Sequence, residues 1–170
     1  MSQAESLSPV AFGQRLAALV AHFERVQVER MSGVPLLNAA LFVEAIGFIW
    51  QEEKDGLIAE GILITPWFMS LWRLPAQHLP LGDRVGQSVA RHFGSESFDF
   101  MTAFDPAIGY HESCALFSPM HDFASQEDAR NTALAALAQL RPVVVASPAA
   151  SSTASPPVPS RRAFLLRGLA

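Results

Sequence analysis

Between Leu41 and Leu74 the chain carries three apolar runs rich in β-branched and aromatic residues, and this block constrains the fold more than any other feature. The spacing predicts a strand over 41–51, a hairpin turn at Glu53-Lys54-Asp55-Gly56 and a partner strand over 57–65. The Asp-Gly pair supplies the positive φ that a tight turn needs. A third strand follows over 67–74. Pro66 stands before it and cannot donate a ladder hydrogen bond, so an edge, a bend or a bulge is expected there.

Helical signals flank this block. Ser8-Pro9 pairs a capping hydroxyl with a proline at a position that needs no N–H. Phe12, Leu16, Leu19, Phe23 and Val26 then recur at helical spacing, which predicts a helix over 9–31 ended by Gly33 and Pro35. Residues 75–86 read as a loop. Residues 87–93 fit a strand or a helix, because Val89, Arg91 and Phe93 alternate while Val85, Val89 and Phe93 would also share a helix face. Phe98, Phe100, Thr102 and Phe104 alternate as a strand, Asp105-Pro106 to Gly109 turns the chain, and Tyr110–Ser118 returns. Ser125 and Asp128 resemble a capping box and open a helix over 126–141, closed by Pro142. The sum is an α+β domain over 1–141: an antiparallel sheet with an N-terminal and a C-terminal helix packed on one face. Residues 142–160 hold no charge, five prolines and five serines, and read as a Pro/Ser/Ala-rich linker. Residues 161–170 form a basic C-terminal tail.

Composition removes several function classes. Half of the 170 residues are apolar and 16% are charged, enough for a core. The net charge of −4 argues against bulk binding of nucleic acid, whose affinity rests on phosphate neutralisation. The charge is unevenly spread: residues 1–141 carry 9 basic and 16 acidic side chains, a net of −7, and the tail adds three arginines. One cysteine, Cys114, excludes an internal disulfide and a four-cysteine metal site, and suggests a reducing, cytoplasmic compartment. No apolar run reaches the ~18 residues of a membrane span, and the N-terminus lacks the pattern of a secretory signal, so no membrane insertion is expected.

The chain has no phosphate-binding loop, no dinucleotide fingerprint and no nucleophile elbow, and Lys54 is its one lysine. His111-Glu112-Ser113-Cys114, with His121 nearby, is the best metal or nucleophile candidate. The odd offset from His111 to Cys114 points the two side chains to opposite faces of a strand, and Cys114 reads equally as a small core residue. No catalytic residue, cofactor or metal is therefore assigned. Trp67, Phe68, Met69 and Trp72 cluster after Pro66. Core packing accounts for one face of such a strand; the other would be an exposed apolar patch of the kind that binds partners, extended by Pro119, Met120 and His121. In the tail, Ser160-Arg161-Arg162-Ala163-Phe164-Leu165-Leu166 reads almost as the Ser-Arg-Arg-x-Phe-Leu-Lys pattern of twin-arginine export signals, but at the wrong end of the chain and without the long apolar segment that follows such a signal. Arg161, Arg162 and Phe164 join the candidate partner-binding residues.

Several segments together resemble the HybE/HupJ family of [NiFe]-hydrogenase assembly chaperones: Gly61-Ile-Leu-Ile-Thr-Pro-Trp-Phe-Met-Ser70, Phe98-Asp-Phe100, Cys114-Ala-Leu-Phe-Ser-Pro-Met-His121 and Arg161-Arg-Ala-Phe-Leu-Leu-Arg-Gly168. The resemblance implies a two-layer sandwich like that of secretion chaperones, and tips residues 87–93 towards strand. It implies a cytoplasmic accessory protein, not an enzyme, that binds precursor small and large hydrogenase subunits before cofactor completion and twin-arginine export. A rubredoxin-like accessory protein is a further implied partner. The alternative is a redox or metal-handling maturation factor that uses Cys114 and His121.

Overall fold

The structure is a computed structural model that describes residues 8–80 and 82–142. Helix α1 (Pro9–Arg30) is followed by strands β1 (Glu44–Glu53), β2 (Gly56–Ile64), β3 (Met69–Pro75), β4 (Ser88–Phe93), β5 (Glu96–Asp105) and β6 (Gly109–Phe117), and then by helix α2 (Gln126–Leu140). The described strands form one antiparallel sheet in the order β1-β2-β3-β6-β5-β4. The first three strands meander. The chain then crosses to the far edge, and β4-β5-β6 works back to β3. Residues 88–93 are strand, which resolves the ambiguity of that segment.

Local chemistry sets the helix starts. Ser8 accepts a hydrogen bond from the Ala11 amide at 3.1 Å, and Ser125 accepts one from the Asp128 amide at 3.1 Å. Each bond satisfies one of the donors that a helix leaves unpaired at its N-terminus. Glu127 and Asp128 in the first turn of α2 add charge of the sign the helix dipole favours.

The α+β class, the antiparallel sheet and the two helices are as the sequence suggests. The layering differs. Side chains of β2 alternate, so Ile62 and Ile64 point away from Leu63. Ile62 and Ile64 pack with Leu71 and with Ala129, Ala133, Leu137 and Leu140 of α2. Leu63 packs with Val43, Trp72, Leu74 and Leu19 of α1, with Phe12, Leu16 and Phe23 at the margin. The helices therefore cover opposite faces of the sheet, not one.

The α2 face takes Ile46, Ile62, Leu71, Phe93, Phe100 and Cys114, so every strand contributes to a core built on one helix. Six strands about 4.8 Å apart span roughly 24 Å, about twice the width of a helix. The sheet must curl around α2 to meet it. Two glycines make the closure visible. Gly47 (φ +57°) lies where the β1–β2 register slips, and a Cβ there would strike the Leu137 side chain; Gly94 (φ +62°) turns β4 into β5, and a Cβ there would strike the Leu140 carbonyl. Both outer strands thus touch the last turn of α2. Arg141 ties this junction: it donates to the Gly47 carbonyl at 2.7 Å and the Glu60 carbonyl at 2.9 Å, and its guanidinium lies 5.0 Å from the centre of the Phe93 ring.

Candidate functional site

Three loops are stitched together at one end of the sheet. The Thr65 amide donates to the Phe68 carbonyl at 2.8 Å, and the Thr65 hydroxyl accepts from the Phe68 amide at 2.9 Å, which makes the bend expected at Pro66. Asn38 donates through its side chain to the carbonyls of Met120 (2.9 Å) and Phe123 (2.8 Å), and through its backbone to that of Pro66 (2.9 Å). Ser118 donates to the Trp67 carbonyl at 3.3 Å, and Gln126 accepts from the Phe42 amide at 3.0 Å. Gln126 and Arg130 both donate to Glu44. The Ser118–Pro119 peptide is cis.

Around this end, Phe42 is 52% exposed and Leu36 37%; Pro119 and His121 are also exposed, and Phe68 is half-buried. The other aromatic and sulfur candidates are core. Trp67, Met69, Trp72 and Met120 are all buried. Trp72 lies edge-on to Phe23 and stacks on His111, and Trp67 leans on Phe23. The expectation of a partner patch at these four residues is corrected. It assumed that one sheet face was open, whereas each face carries a helix. Phe42 escaped the sequence reading; its signal is an apolar residue between Leu41 and Val43, which turn inward. Arg161, Arg162 and Phe164, with all but the first residue of the 142–160 linker, lie outside the described residues.

Beyond the C-terminal end of α2, the inner face of the curl holds a charge network that the sequence reading missed. Arg73 of β3 is 3% exposed, and it pairs with Glu53 of β1, Glu60 of β2 and, at 3.1 Å, Glu112 of β6. Arg91 of β4 pairs with the same Glu112 at 2.7 Å, and the Tyr110 hydroxyl donates to it at 3.0 Å. Burial pushes the Glu60 pKa up, against the pull of Arg73. Burial pushes Glu112 the same way, but the hydrogen bonds and charge of Arg91, with Tyr110 and Arg73, prevail and lower it. Burial, with the Glu112 charge beside it, pushes the Tyr110 pKa up to about 12. All three nitrogens of the Arg73 guanidinium are engaged by carboxylates. The arrangement is a cross-strand fastener with its groups already paired.

The histidine and the cysteine of the His111–Cys114 segment face apart. His111 donates from Nδ1 to the Gly109 carbonyl at 2.9 Å and stacks on Trp72 on the α1 side, while Cys114 is buried on the α2 side. His121 lies in solvent. The Cys114–His121 pair of the alternative reading is thus one core residue and one surface residue. Among the described residues no three His, Cys, Asp or Glu side chains are grouped to hold a metal, and no helix is long and apolar enough to cross a membrane.

These features define a small α+β domain in which a curled six-stranded sheet wraps one helix, carries a second on its outer face, and exposes Leu36 and Phe42 at a loop-built end. A family model described as "[NiFe]-hydrogenase assembly, chaperone, HybE" matches residues 14–167, and the chain belongs to that family of hydrogenase assembly chaperones. Protein HoxT of Cupriavidus necator is 44% identical over 124 residues, covering 68% of this chain and 69% of that one. The hydrogenase expression/formation protein HoxT of Azotobacter vinelandii is 38% identical over 154 residues, 89% of this chain and 94% of that one. The solution structure of HybE from Escherichia coli shares the fold, with a TM-score of 0.56 and 21% identity over 84% of this chain and 86% of that one.

Proposed function

We propose that this chain is a non-enzymatic, cytoplasmic chaperone that holds precursor small and large subunits of a [NiFe]-hydrogenase before cofactor completion and twin-arginine export. A rubredoxin-like accessory protein is the further partner this reading adds. The observation that carries it is the loop-built end, where Leu36, Phe42, Pro119 and His121 are exposed on segments fixed by hydrogen bonds to Asn38 and Gln126. Exposed apolar groups favour partner binding, and loops already ordered lose little entropy when they bind.

The test is co-purification of the tagged full chain from cells that make the hydrogenase. Recovery of at least one precursor is expected, and strains lacking one subunit at a time identify which. Phe42→Asp should cut recovery several-fold with the melting temperature unchanged. Recovery of neither precursor overturns the reading.

A further inference from the structure

The outer edge of β1 pairs with no strand among the described residues, and the slip between Ile46 and Ile49 leaves Ile49–Glu53 as a regular, open stretch. Such an edge is a template for another extended chain. Two observations mark this stretch. Ile49 is 41% exposed. The buried side-chain donors without an acceptor among the described residues are Nε1 of Trp50, in β1 itself, and Nε of Arg141, whose guanidinium grips the Gly47 carbonyl. Trp50 lies inside the open stretch, and Gly47 lies just before it.

We propose that residues 161–165 of this chain occupy the edge, antiparallel to residues 49–53. Directly opposed residues of antiparallel strands share a face. The register that pairs Arg161 with Glu53 also pairs Arg162 with Glu52, Phe164 with Trp50 and Leu165 with Ile49. Arg162 meets Glu52, Arg161 meets Glu53, whose carboxylate Arg73 already engages from β3, and each large apolar residue meets another. A slip of one residue in either direction breaks the match at Arg161 or at Arg162. The connection is long enough. Pro142 follows Arg141, whose side chain reaches Gly47, Glu52 lies about 17 Å further along the strand at 3.3–3.4 Å per residue, and a random-coil span of 19 residues averages about 24 Å. The family match supports a role for the segment, since it continues to residue 167, beyond the last described residue.

The docked segment has the pattern of a twin-arginine signal, so it competes with such a signal for the edge; this consequence, unlike the docking, rests on the proposed function. A tethered competitor acts at a local concentration near millimolar. Amide hydrogen exchange of the full chain tests the docking. Amides of residues 49–53 that do not pair with β2 should exchange at least tenfold more slowly in the native chain than in Arg161→Glu/Arg162→Glu, with β4 unchanged. Adding Glu52→Arg to Arg162→Glu should restore the protection, because the pair is re-formed with its signs exchanged. Equal exchange in native and variant chains, or a difference confined to β4, overturns the proposal. A synthetic peptide containing Ser-Arg-Arg-Ala-Phe-Leu-Lys should bind the Arg161→Glu/Arg162→Glu chain at least tenfold more tightly than the native one. Protection of β1 with no peptide binding to either chain supports the docked segment and counts against the export reading.

Discussion

At the scale of single residues, the most informative are those that interrupt apolar strands. Glu60 stands in Leu-Ile-Ala-Glu-Gly-Ile-Leu-Ile and Arg73 in Met-Ser-Leu-Trp-Arg-Leu, within the stretches 59–64 and 69–75 that are buried throughout. A charge in such a run must find a partner, because an unpaired buried charge is costly. That signal was legible; the partners across β1, β4 and β6 were not, because strand order is not written locally. Arg73→Met leaves Glu60 and Glu112 buried without that arginine and should cost about 3–5 kcal/mol, read as a lower midpoint in urea. Replacing Arg73, Glu60 and Glu112 together by Met should recover most of it. If the single variant unfolds at the native midpoint, the network is ornamental to stability. His111 gives the pH dependence. Burial lowers its pKa from 6.5, and burial also lowers that of His22 on the facing helix, partly opposed by Asp105. The folded protein therefore binds fewer protons than the unfolded chain once pH drops through 6.5, so stability is full above that value and declines towards pH 5. His111→Gln should flatten the fall in melting temperature between pH 7 and 5, and an unchanged slope would reject this origin.

At the scale of elements, both helices, the hairpin at Gly56 and the alternating strand around Phe100 were readable because each rests on local rules of capping, turn geometry and period. The side of the sheet that each helix takes was harder. The clue was that residues 59–64 and 69–75 are apolar almost without alternation, the pattern of strands covered on both faces. A single covered face would have demanded alternation. The curl has its own local requirement at the β4–β5 turn. The Ser95 amide donates to the Leu140 carbonyl at 2.7 Å, a contact that Gly94 allows by having no side chain. Gly94→Ala should cost about 1 kcal/mol for its positive φ and about 1 kcal/mol more for the displaced hydrogen bond. Gly86 separates the two effects, since it also has positive φ (+79°) but nothing within 4 Å of the place an added methyl would take. Gly86→Ala should lower the melting temperature about half as far, and equal losses would mean that the α2 contact contributes nothing.

At the scale of the whole molecule, the two helices are unequal partners. Five residues of α2 are buried in the curl, whereas Leu19 alone is buried on α1, which lies on the outer face with Phe12, Leu16 and Phe23 only partly covered. Local opening follows buried apolar contact, so α1 should detach at lower free energy than α2. Detachment would uncover Leu63, Trp72 and Leu74, an apolar surface on the sheet itself. The expected sign is faster amide exchange along Val20–Arg30 than along Ala129–Leu140 in the intact chain. Leu19→Ala removes the one fully buried anchor, a change of about 2–5 kcal/mol for a leucine in a core. If α1 opens as a unit, its exchange should rise at least tenfold in that variant while the ratio of α1 to α2 exchange widens. A rise shared equally by both helices would mean that the molecule opens only as a whole, and that the outer face never serves as a surface in its own right.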